Sequence, residues 1–533
     1  MAGIRYFTQL VLMSLALMLL TACATFGPSS PSANPQAQSQ QAVARVQAAD
    51  TALQQGHANA ALQQLAGLPA SMPPDLQQRA LDVQARAQLA LGHRVEAARA
   101  LARRLPLLPP AAQAAEHPRI VAILAGMGNA GLKALFPTLA ANDPLKPYAS
   151  QALARSGTAT ALALPQLNEP VGTLTNGSTP QGFAMPAHVA LLLPASGRVA
   201  IASAAVRDGF FAAYFHTSST QERRPTIKVY ATDGGADGTL AAYRKAVTDG
   251  ASLVVGPLGR DAVGTLFAQA SLPVPVLALN HAQGNQAVPP GSAEFALLPE
   301  TEGAQLAARM VTAGLHAAIV FRGNDDTAAR SFAAFKLEFE SLGGQVANDI
   351  VLQPGAVDFA GQVQAALAGS GNQTGVVALL RPTQARLLLP QLKLARSTLP
   401  VFATSMVYSG EENATADGDL DGLQFSDEPW LYDAQAGLPS HATLAAQLST
   451  ASGPAARLFA FGMDAYALMP YLGWLRTHPG SYLPGATGQL TMDAFGHVQR
   501  TPIWVQFQGG IARPVAAGLE PAPPASDAAP NGP

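Results

Sequence analysis

The stretch His188-Val189-Ala190-Leu191-Leu192-Leu193-Pro194-Ala195-Ser196-Gly197 joins an unbroken apolar run to a turn of small residues. Such a run is typical of a strand that is buried on both faces of a parallel sheet. Two further apolar runs, at residues 226–231 and 253–255, alternate with amphipathic helical patterns at 203–215 and 239–249. Strands that alternate with helices in this way predict an α/β domain with a parallel sheet.

A second series of strands and helices follows the first, which ends with a helix at 261–270 and a strand at 274–278. Two such series predict two α/β lobes, and lobes of this kind bind ligands, where they bind any, in the cleft between them. After an irregular stretch we expect a helix at 458–475 and a hairpin that pairs 488–492 with 503–508 around Asp493-Ala494-Phe495-Gly496. The second series comprises helices at 301–313, 327–342, after 358 and at 383–395, and strands at 317–321, 345–351, 376–380 and 401–403.

A helical region precedes the α/β region. From residue 43 to residue 105 the chain is rich in Ala and Leu at helical spacing, and Gly56-His57 and Gly92-His93 stand 36 residues apart where helices are expected to end in a left-handed residue. The pattern resembles tetratricopeptide helix pairs, with a generic alanine-rich bundle as the alternative. The predicted domains are helical at 43–164, a Pro- and Gly-rich linker at 165–186, two-lobed at 187–512, and a disordered Pro/Ala tail at 513–533.

The N-terminus reads as a lipoprotein signal peptide, residues 1–22. Arg5 precedes an apolar run from 10 to 20 that is too short to cross a bilayer, and Leu20-Thr21-Ala22-Cys23 resembles the lipobox of bacterial lipoproteins. Cys23 is the only cysteine in the chain, which excludes a disulfide framework and predicts lipidation at that position. Residues 23–42 are expected to form a flexible tether, and Ala24 favours export to the outer membrane.

The composition fits a chain of more than one domain and excludes one class of partner. The chain has 533 residues, a formal net charge of −2 and 12% charged residues. A length of this order exceeds that of a typical single domain. Since no excess of positive charge is present to neutralise phosphates, no nucleic-acid partner is expected.

Three stretches carry a narrower resemblance to a known family. They are Asp208-Gly209-Phe210, the run from Asp419-Leu420-Asp421-Gly422 to Glu428-Pro429-Trp430, and Gly462-Met463-Asp464-Ala465-Tyr466. With the opening strand, which is similar to the start of type I periplasmic-binding folds, they resemble the LppC family of penicillin-binding protein activators over most of residues 187–508. The resemblance implies an outer-membrane lipoprotein that docks on a bifunctional class A penicillin-binding protein and stimulates its transpeptidase. The helical region is shorter than in the better-known enterobacterial members.

Four residues are candidates for lining the interlobe cleft. Ser196 and Gly197 follow the first strand, Asn280 follows the strand at 274–278, and Ser405 follows the strand at 401–403. Ligands gather at the carboxyl ends of parallel strands, so a small ligand in the cleft is one interpretation. The alternative is structural: Ser196 caps the next helix and Asn280 makes a turn, because no charged clamp for an amino acid is evident.

A glycine-rich stretch and two adjacent acids each have a functional and a simpler explanation. The glycines from 126 to 131 fit the dinucleotide fingerprint, but no strand follows and Gln151 stands near the expected ribose-binding acid, so a turn between helices is favoured. Asp325 and Asp326 precede the helix at 327–342. We interpret them as capping residues and not as a cation site.

The acids from 417 to 428 match the spacing of a calcium-binding EF-hand loop. Pro429 obstructs an exiting helix, Gln424 replaces an apolar loop residue, and the preceding stretch at 409–415 is not expected to be helical. A polar turn leading into a strand at 423–425 is favoured, with Asp427 and Trp430 fixing a crossing between the lobes. No metal site is therefore predicted.

No catalytic site, metal site or cofactor is predicted. The motifs of phosphate-binding loops, zinc peptidases and serine hydrolases are absent from the sequence, and the predicted lipid would occupy the only thiol. A cell-wall hydrolase would need an acid/base pair or a metal triad that the sequence does not supply. The prediction is therefore a two-lobed, type I periplasmic-binding-protein-like α/β domain preceded by an all-α tetratricopeptide-like domain. The resemblance implies that the protein activates a synthase and is not itself an enzyme; the alternative is a solute-binding lipoprotein for an amino acid or amide.

Overall fold

The computed structural model describes residues 35–69, 71–140, 143–155, 167, 183, 185–197, 199–218, 224–282, 286–478 and 480–515. Cys23, the signal peptide at 1–22, most of the linker at 165–186 and residues 516–533 of the predicted tail lie outside the described residues. The predicted disordered tail at 513–533 begins too early, because Arg513 and Pro514 belong to the strand Ile511–Pro514 and pair with the strand before it. The chain divides into two compact units, which separate after Pro109.

The helices are α1 Pro35–Gln54, α2 Ala58–Leu65, α3 Pro74–Ala90, α4 Arg94–Arg104, α5 Pro110–Ala125, α6 Gly128–Leu135, α7 Lys146–Arg155, α8 Ala200–Ser218, α9 Ala236–Thr248, α10 Arg260–Phe267, α11 Pro299–Thr312, α12 Asp326–Ser341, α13 Ala360–Leu367, α14 Pro382–Leu394, α15 Ala414–Asp417, α16 His441–Ala445, α17 Ala456–Leu468 and α18 Leu472–Thr477.

The first unit consists of helix pairs that end as the sequence predicts. Gly56 and Gly92 both have φ of 81°, the left-handed conformation that glycine adopts without strain. After each glycine a backbone N–H reaches back into the preceding helix, from His57 to the Ala52 carbonyl and from His93 to the Gln88 carbonyl, both at 2.9 Å. These bonds satisfy carbonyls that a helix end would otherwise leave unpaired. The core between the helices is made of small residues: Ala49, Ala58, Ala61, Val83 and Ala87.

The flexible tether is shorter than the sequence suggested. We expected it to extend to residue 42, but helix α1 begins at Pro35. Proline fits the first turn of a helix because its missing N–H has no partner there. Ala42 and Val46 are buried against Leu76 and Ala80, so packing on a neighbouring helix holds this part of the chain.

Helices α5 to α7 belong to the second unit, although the sequence grouped them with the helical domain at 43–164. Lys146 on α7 forms a buried ion pair with Glu338 on α12, with 3.2 Å between Nζ and Oε1. Contacts of this kind explain why the division between units falls after Pro109 and not at 165–186. By itself, none of the described helices is long and apolar enough to span a bilayer; Ala115–Ala125 and Gly128–Thr138 meet that test only as a pair bent by 103°.

Two sheets form the α/β part of the second unit. The first has eight strands in the order β11-β12-β13-β5-β4-β3-β1-β2, and the second has seven in the order β15-β14-β10-β9-β8-β6-β7. Both are parallel, apart from antiparallel edge strands from the C-terminal part of the chain. The strands are β1 His188–Pro194, β2 Thr226–Thr232, β3 Leu253–Val255, β4 Val276–Ala278, β5 Ala293–Phe295, β6 Ala317–Arg322, β7 Gln345–Val351, β8 Thr374–Leu379, β9 Val401–Ala403, β10 Gln424–Asp427, β11 Leu483–Pro484, β12 Gln489–Met492, β13 His497–Thr501, β14 Ile503–Gln508 and β15 Ile511–Pro514.

Each sheet and its helices make one lobe. The first lobe contains the eight-stranded sheet with α8, α9, α10, α17 and α18, and the second contains the seven-stranded sheet with α11 to α15. The chain crosses between the lobes three times: from β5 to α11, from β10 to α17, and from β13 to β14. The two predicted lobes are therefore confirmed.

The predicted C-terminal hairpin is wrong in its second strand. β12 pairs with β13, with Met492 opposite Val498, whereas β14 lies in the other sheet between β10 and β15. The Asp493 carboxylate accepts the N–H groups of Phe495 and His497, each at 2.9 Å, which closes a tight turn and starts the return strand at once. Pro502 follows β13, and there the chain leaves the first lobe.

Two smaller predictions also need correction. The expected helix at 458–475 is two helices, α17 and α18, because Pro470 lacks the N–H that a continuous helix requires. Strand β5 was not predicted, since its three residues show no periodicity.

Helices α8 and α17 cross at two glycines. A Cβ added at Gly209 would lie 1.8 Å from the carbonyl oxygen of Phe459, and one added at Gly462 would lie 2.0 Å from that of Val206. The backbones are in direct contact, which no other residue type permits. This crossing fixes α8 and α17 together beneath the first sheet.

Candidate functional site

Each of the three crossings between the lobes contributes one charged residue to a buried network. Arg500 is the penultimate residue of β13, Glu302 lies in the first turn of α11, and Glu428 follows β10. One guanidinium nitrogen of Arg500 lies 2.8 Å from Glu302 Oε1, and the other lies 3.6 Å from Glu428 Oε1. Gln305 donates to the Arg500 carbonyl at 2.6 Å. The network therefore ties all three crossing segments together.

Burial controls the protonation of Glu428. It raises the pKa of the Glu428 carboxyl well above its ordinary value, against the opposing attraction of Arg500. Neither carboxyl oxygen accepts a hydrogen bond from the described protein groups. A neutral carboxyl is favoured at such a position, because an ionised one would be strongly desolvated. Arg500 is then balanced by the Glu302 carboxylate.

A second ion pair lies beside this network. Arg457 donates to both oxygens of the Asp427 carboxylate, at 2.8 and 2.7 Å, and the Tyr432 hydroxyl donates to Oδ2 at 2.8 Å. Trp430, three residues after Asp427, stacks on Phe459 in the core of the first lobe, with 5.2 Å between ring centroids. Strand β10 belongs to the second lobe, so the predicted role of Asp427 and Trp430 in a crossing between the lobes is confirmed.

The four candidate cleft residues follow strands of both sheets. Ser196 and Gly197 follow β1 and are exposed, and Gly197 has φ of 80°. Asn280 follows β4; its amide donates to the Leu258 carbonyl and its oxygen accepts from the His281 N–H, both at 3.0 Å. In the second sheet, Ser405 follows β9 and is buried, and its N–H and hydroxyl both bind the Glu302 carboxylate.

These contacts separate the candidates into two groups. Asn280 holds a loop together, as the structural alternative predicted, and Ser405 belongs to the network at the crossings. Ser196 and Gly197 lie at a carboxyl strand end of the first lobe. A role for the four residues in binding a small ligand stays a prediction.

A cluster of acids and imidazoles lies next to Asn280. The His281 and His497 rings stack with 5.1 Å between centroids, and Glu294 Oε2 lies 3.8 Å from His281 and 3.6 Å from His497. Burial, with the nearby His497, lowers the pKa of the His281 imidazole to about 3. Asp493 accepts from His497 Nδ1 at 2.9 Å, and the pKa of its carboxyl is lowered in spite of burial, because His497 attracts and bonds it.

The acids from 417 to 428 serve different parts of the fold. Asp417 is buried and binds Arg386, with 2.8 Å between the closest atoms, whereas Asp421 accepts the Gly510 N–H at 2.8 Å. Helix α15 covers Ala414 and Thr415, so the expectation that 409–415 is not helical is wrong for those two residues, which Asn413 caps. Within the described ranges, no three His, Cys, Asp or Glu side chains are grouped to hold a metal ion.

The other two motifs have the structural roles that the sequence favoured. The glycines from 126 to 131 span the turn between α5 and α6 and the first residues of α6, where Gly128 has φ of 72°. Asp325 caps α12, since its carboxylate accepts the Ala328 N–H at 3.1 Å. Asp326 is exposed and lies 3.6 Å from Arg330 one turn later.

The family described as "LppC putative lipoprotein" matches residues 181–510, more than half of the chain and nearly the whole two-lobed region. The chain belongs to the LppC family. Its relatives include the penicillin-binding protein activator LpoA of Haemophilus influenzae, which is 28% identical over 334 residues that cover 62% of this chain and 55% of the relative. LpoA of Photobacterium profundum is 28% identical over 357 residues, 62% of this chain and 57% of the relative. The chain thus spans about half the length of the curated relatives it matches.

Solved structures of LppC proteins share the fold. Full-length LpoA of H. influenzae aligns with 90% of this chain and 89% of its own, with a TM-score of 0.53 and 22% identity. The LpoA C-domain of the same organism, described as a regulator of PBP1A, is 27% identical; it covers 62% of this chain and 99% of its own, with a TM-score of 0.52. A branched-chain amino acid transporter protein of Rhodospirillum rubrum also has a TM-score of 0.52 at 18% identity, which shows the periplasmic-binding-protein-like fold alone.

The stretches that resemble the LppC family are packing and crossing residues. Gly209 and Gly462 make the contact between α8 and α17. Asp208 accepts from the Thr450 hydroxyl at 2.9 Å, and Asp464 accepts the N–H groups of Ala486 and Thr487. These residues stabilise the first lobe and the segments that cross between the lobes.

Sequence reasoning missed Glu302 and Arg500. Glu302 lies in a first helical turn, where acids are common for electrostatic reasons, and Arg500 lies on a short strand of alternating burial. The one sequence feature that indicated this region was Ser405, which was expected at the carboxyl end of a strand and which binds Glu302. The pairing depends on three segments that are distant in sequence.

Proposed function

We propose that this chain is a lipid-anchored regulator of peptidoglycan synthesis that binds a class A penicillin-binding protein and stimulates its transpeptidase. The observation that carries the proposal is the match to the LpoA C-domain, a regulator of PBP1A, over 99% of that domain at 27% identity. The relatives that match the same region are named as activators and not as enzymes. The lobes therefore act by binding.

Activation follows from differential binding. An activator shifts a synthase toward its active conformation only if it binds that conformation more tightly than the resting one. In most interfaces a few buried side chains supply most of the binding energy, so a small part of the lobe surface is enough for this effect. The internal networks at the crossings keep that surface in one arrangement.

The anchor completes the proposal. Cys23 carries the lipid, and residues 24–34 connect it to α1 on the periplasmic face of the outer membrane. Several acyl chains are needed for durable attachment, since one chain binds a membrane only marginally. We expect Cys23→Ser to abolish function in cells and to leave stimulation by the soluble protein intact.

The direct test is a transpeptidase assay with purified proteins. The chain from residue 23 with Cys23→Ser is added to the cognate class A synthase and lipid II, and peptide cross-links are quantified by chromatography. We expect cross-linking to rise with the added protein and to saturate. A two-lobed solute-binding protein at equal concentration serves as the matched control. Unchanged cross-linking, together with no association in sedimentation experiments, contradicts the proposal.

A further inference from the structure

Helix α7 contacts the second lobe through a buried charge. Lys146 Nζ lies 3.2 Å from Glu338 Oε1 on α12, and the two side chains are 2% and 3% exposed. The Lys146 ammonium also lies 5.1 Å from the centroid of the Phe136 ring, and the turn Phe136–Thr138 packs on α12. The second lobe is thus held by an ion pair and by packing of the Phe136–Thr138 turn, and the cation–π contact joins that turn to α7.

The same helix contacts the first lobe through aromatic rings. The Tyr148 ring lies 5.4 Å from that of Phe495 in an edge-to-face arrangement, and His117 on α5 lies 5.9 Å from the same ring. His117 Nδ1 and the Tyr148 hydroxyl are 2.8 Å apart, which joins α5 to α7. Phe495 lies in the turn between β12 and β13 of the first lobe.

We propose that helices α5 to α7 form a strap that holds the two lobes at one separation, whether or not a small ligand is present. Lys146 and Tyr148 are two residues apart on one helix, so a single rigid element contacts both lobes. Any hinge motion must therefore separate α7 from one lobe. Separation on the Glu338 side would leave two charges without their partner, and separation on the Phe495 side would open an aromatic cluster.

The charged network at the crossings also restricts motion of one lobe against the other. In a two-lobed protein that closes on a ligand, the hinge segments absorb the change in backbone angles. Here each crossing segment contributes a side chain to the Glu302–Arg500–Glu428 network, so the hinge itself is tied. The strap and the network join the two lobes at different places. Two separate attachments oppose rotation of one lobe against the other as well as opening of the cleft.

A distance measurement tests the strap. With Cys23→Ser the chain has no cysteine, so Ala241→Cys on α9 and Ala365→Cys on α13 give one spin label on each lobe at exposed positions. Pulsed electron paramagnetic resonance then reports the separation of the lobes. We expect one narrow distance distribution that a mixture of amino acids leaves unchanged.

Two substitutions in the strap are expected to broaden that distribution: Phe495→Ala on the first-lobe side and Lys146→Met on the second. Lys146→Met alone leaves the buried Glu338 without its partner and could unfold the protein. The double variant Lys146→Met, Glu338→Gln removes both charges at similar side-chain volume, so it keeps the test valid in that case. Lys336→Met, on the exposed face of the same α12, is the matched control and should leave the distribution narrow.

Two results would overturn the strap. One is a parent protein with two distances, or with a distance that shifts when amino acids are added. The other is a narrow distribution in folded Phe495→Ala and in the folded double variant, since the lobes would then be held without α5 to α7. Circular dichroism confirms the folded state of each variant.

Discussion

Replacing Gly462 by alanine should destabilise the first lobe through one backbone contact. The new Cβ would lie 2.0 Å from the Val206 carbonyl oxygen and 2.9 Å from the Phe210 nitrogen. Carbon atoms pack at about 3.5 Å or more, so α8 and α17 must separate by more than ~1 Å. Overpacking of this kind costs up to about 3 kcal/mol, and the better helix propensity of alanine returns about 1 kcal/mol. The net loss in the free energy of unfolding should be about 2 kcal/mol.

Urea denaturation followed by tryptophan fluorescence measures this loss, because Trp430 stacks on Phe459 next to the helix crossing. With a slope of about 3 kcal/mol per molar urea, the midpoint should fall by about 0.7 M. Gly473→Ala is the matched control: it also places alanine in a helix, but no atom lies within 4 Å of the new Cβ. It should be neutral or stabilising by up to about 0.5 kcal/mol. Equal midpoints for the two variants would refute the close contact.

Two further predictions concern buried charges. Arg457→Met leaves the Asp427 carboxylate buried without its ion-pair partner and should lower the free energy of unfolding by about 3–5 kcal/mol. Arg207→Met removes an exposed ion pair and should lower the free energy of unfolding by less than about 1 kcal/mol. The urea midpoints of the two variants measure the difference. Burial keeps the pKa of the His281 imidazole at about 3, so below pH ~6.5 the unfolded chain binds a proton that the folded chain does not bind. The free energy of unfolding should therefore fall as the pH decreases, by up to about 1.4 kcal/mol per pH unit. His281→Gln should lack this part of the slope between pH 6.5 and 5, and identical slopes would contradict the lowered pKa.

The sequence was sufficient for the parts of the fold that depend on local pattern. Apolar runs identified β1 and β3, and the glycines at 56 and 92 identified helix ends, because their physical causes lie within a few residues. It failed where pairing is decided at long range. The turn at Asp493 looked like the centre of a wide hairpin, yet its carboxylate makes a tight one and sends β14 to the other sheet.

The candidate site was less predictable than the fold. Asp427 and Trp430 were placed correctly at a crossing, where Asp427 ends β10 and Trp430 comes shortly after it. Glu302 and Arg500 were not, since each looks ordinary in its own element and their importance comes from meeting each other. A buried network drawn from three distant segments leaves no local signature in a single sequence.

The three crossings also determine when the molecule can become complete. The first sheet needs β11 to β13 and the second needs β14 and β15, so residues 483–514 supply an edge to both lobes. A chain that emerges with its N-terminus first, from a ribosome or a translocation pore, cannot finish the first sheet until residue 501 has appeared, nor the second until residue 514 has appeared. A chain truncated before β14 would leave one edge of β10 without a neighbouring strand, and we expect that exposed edge to make it a substrate for proteolysis.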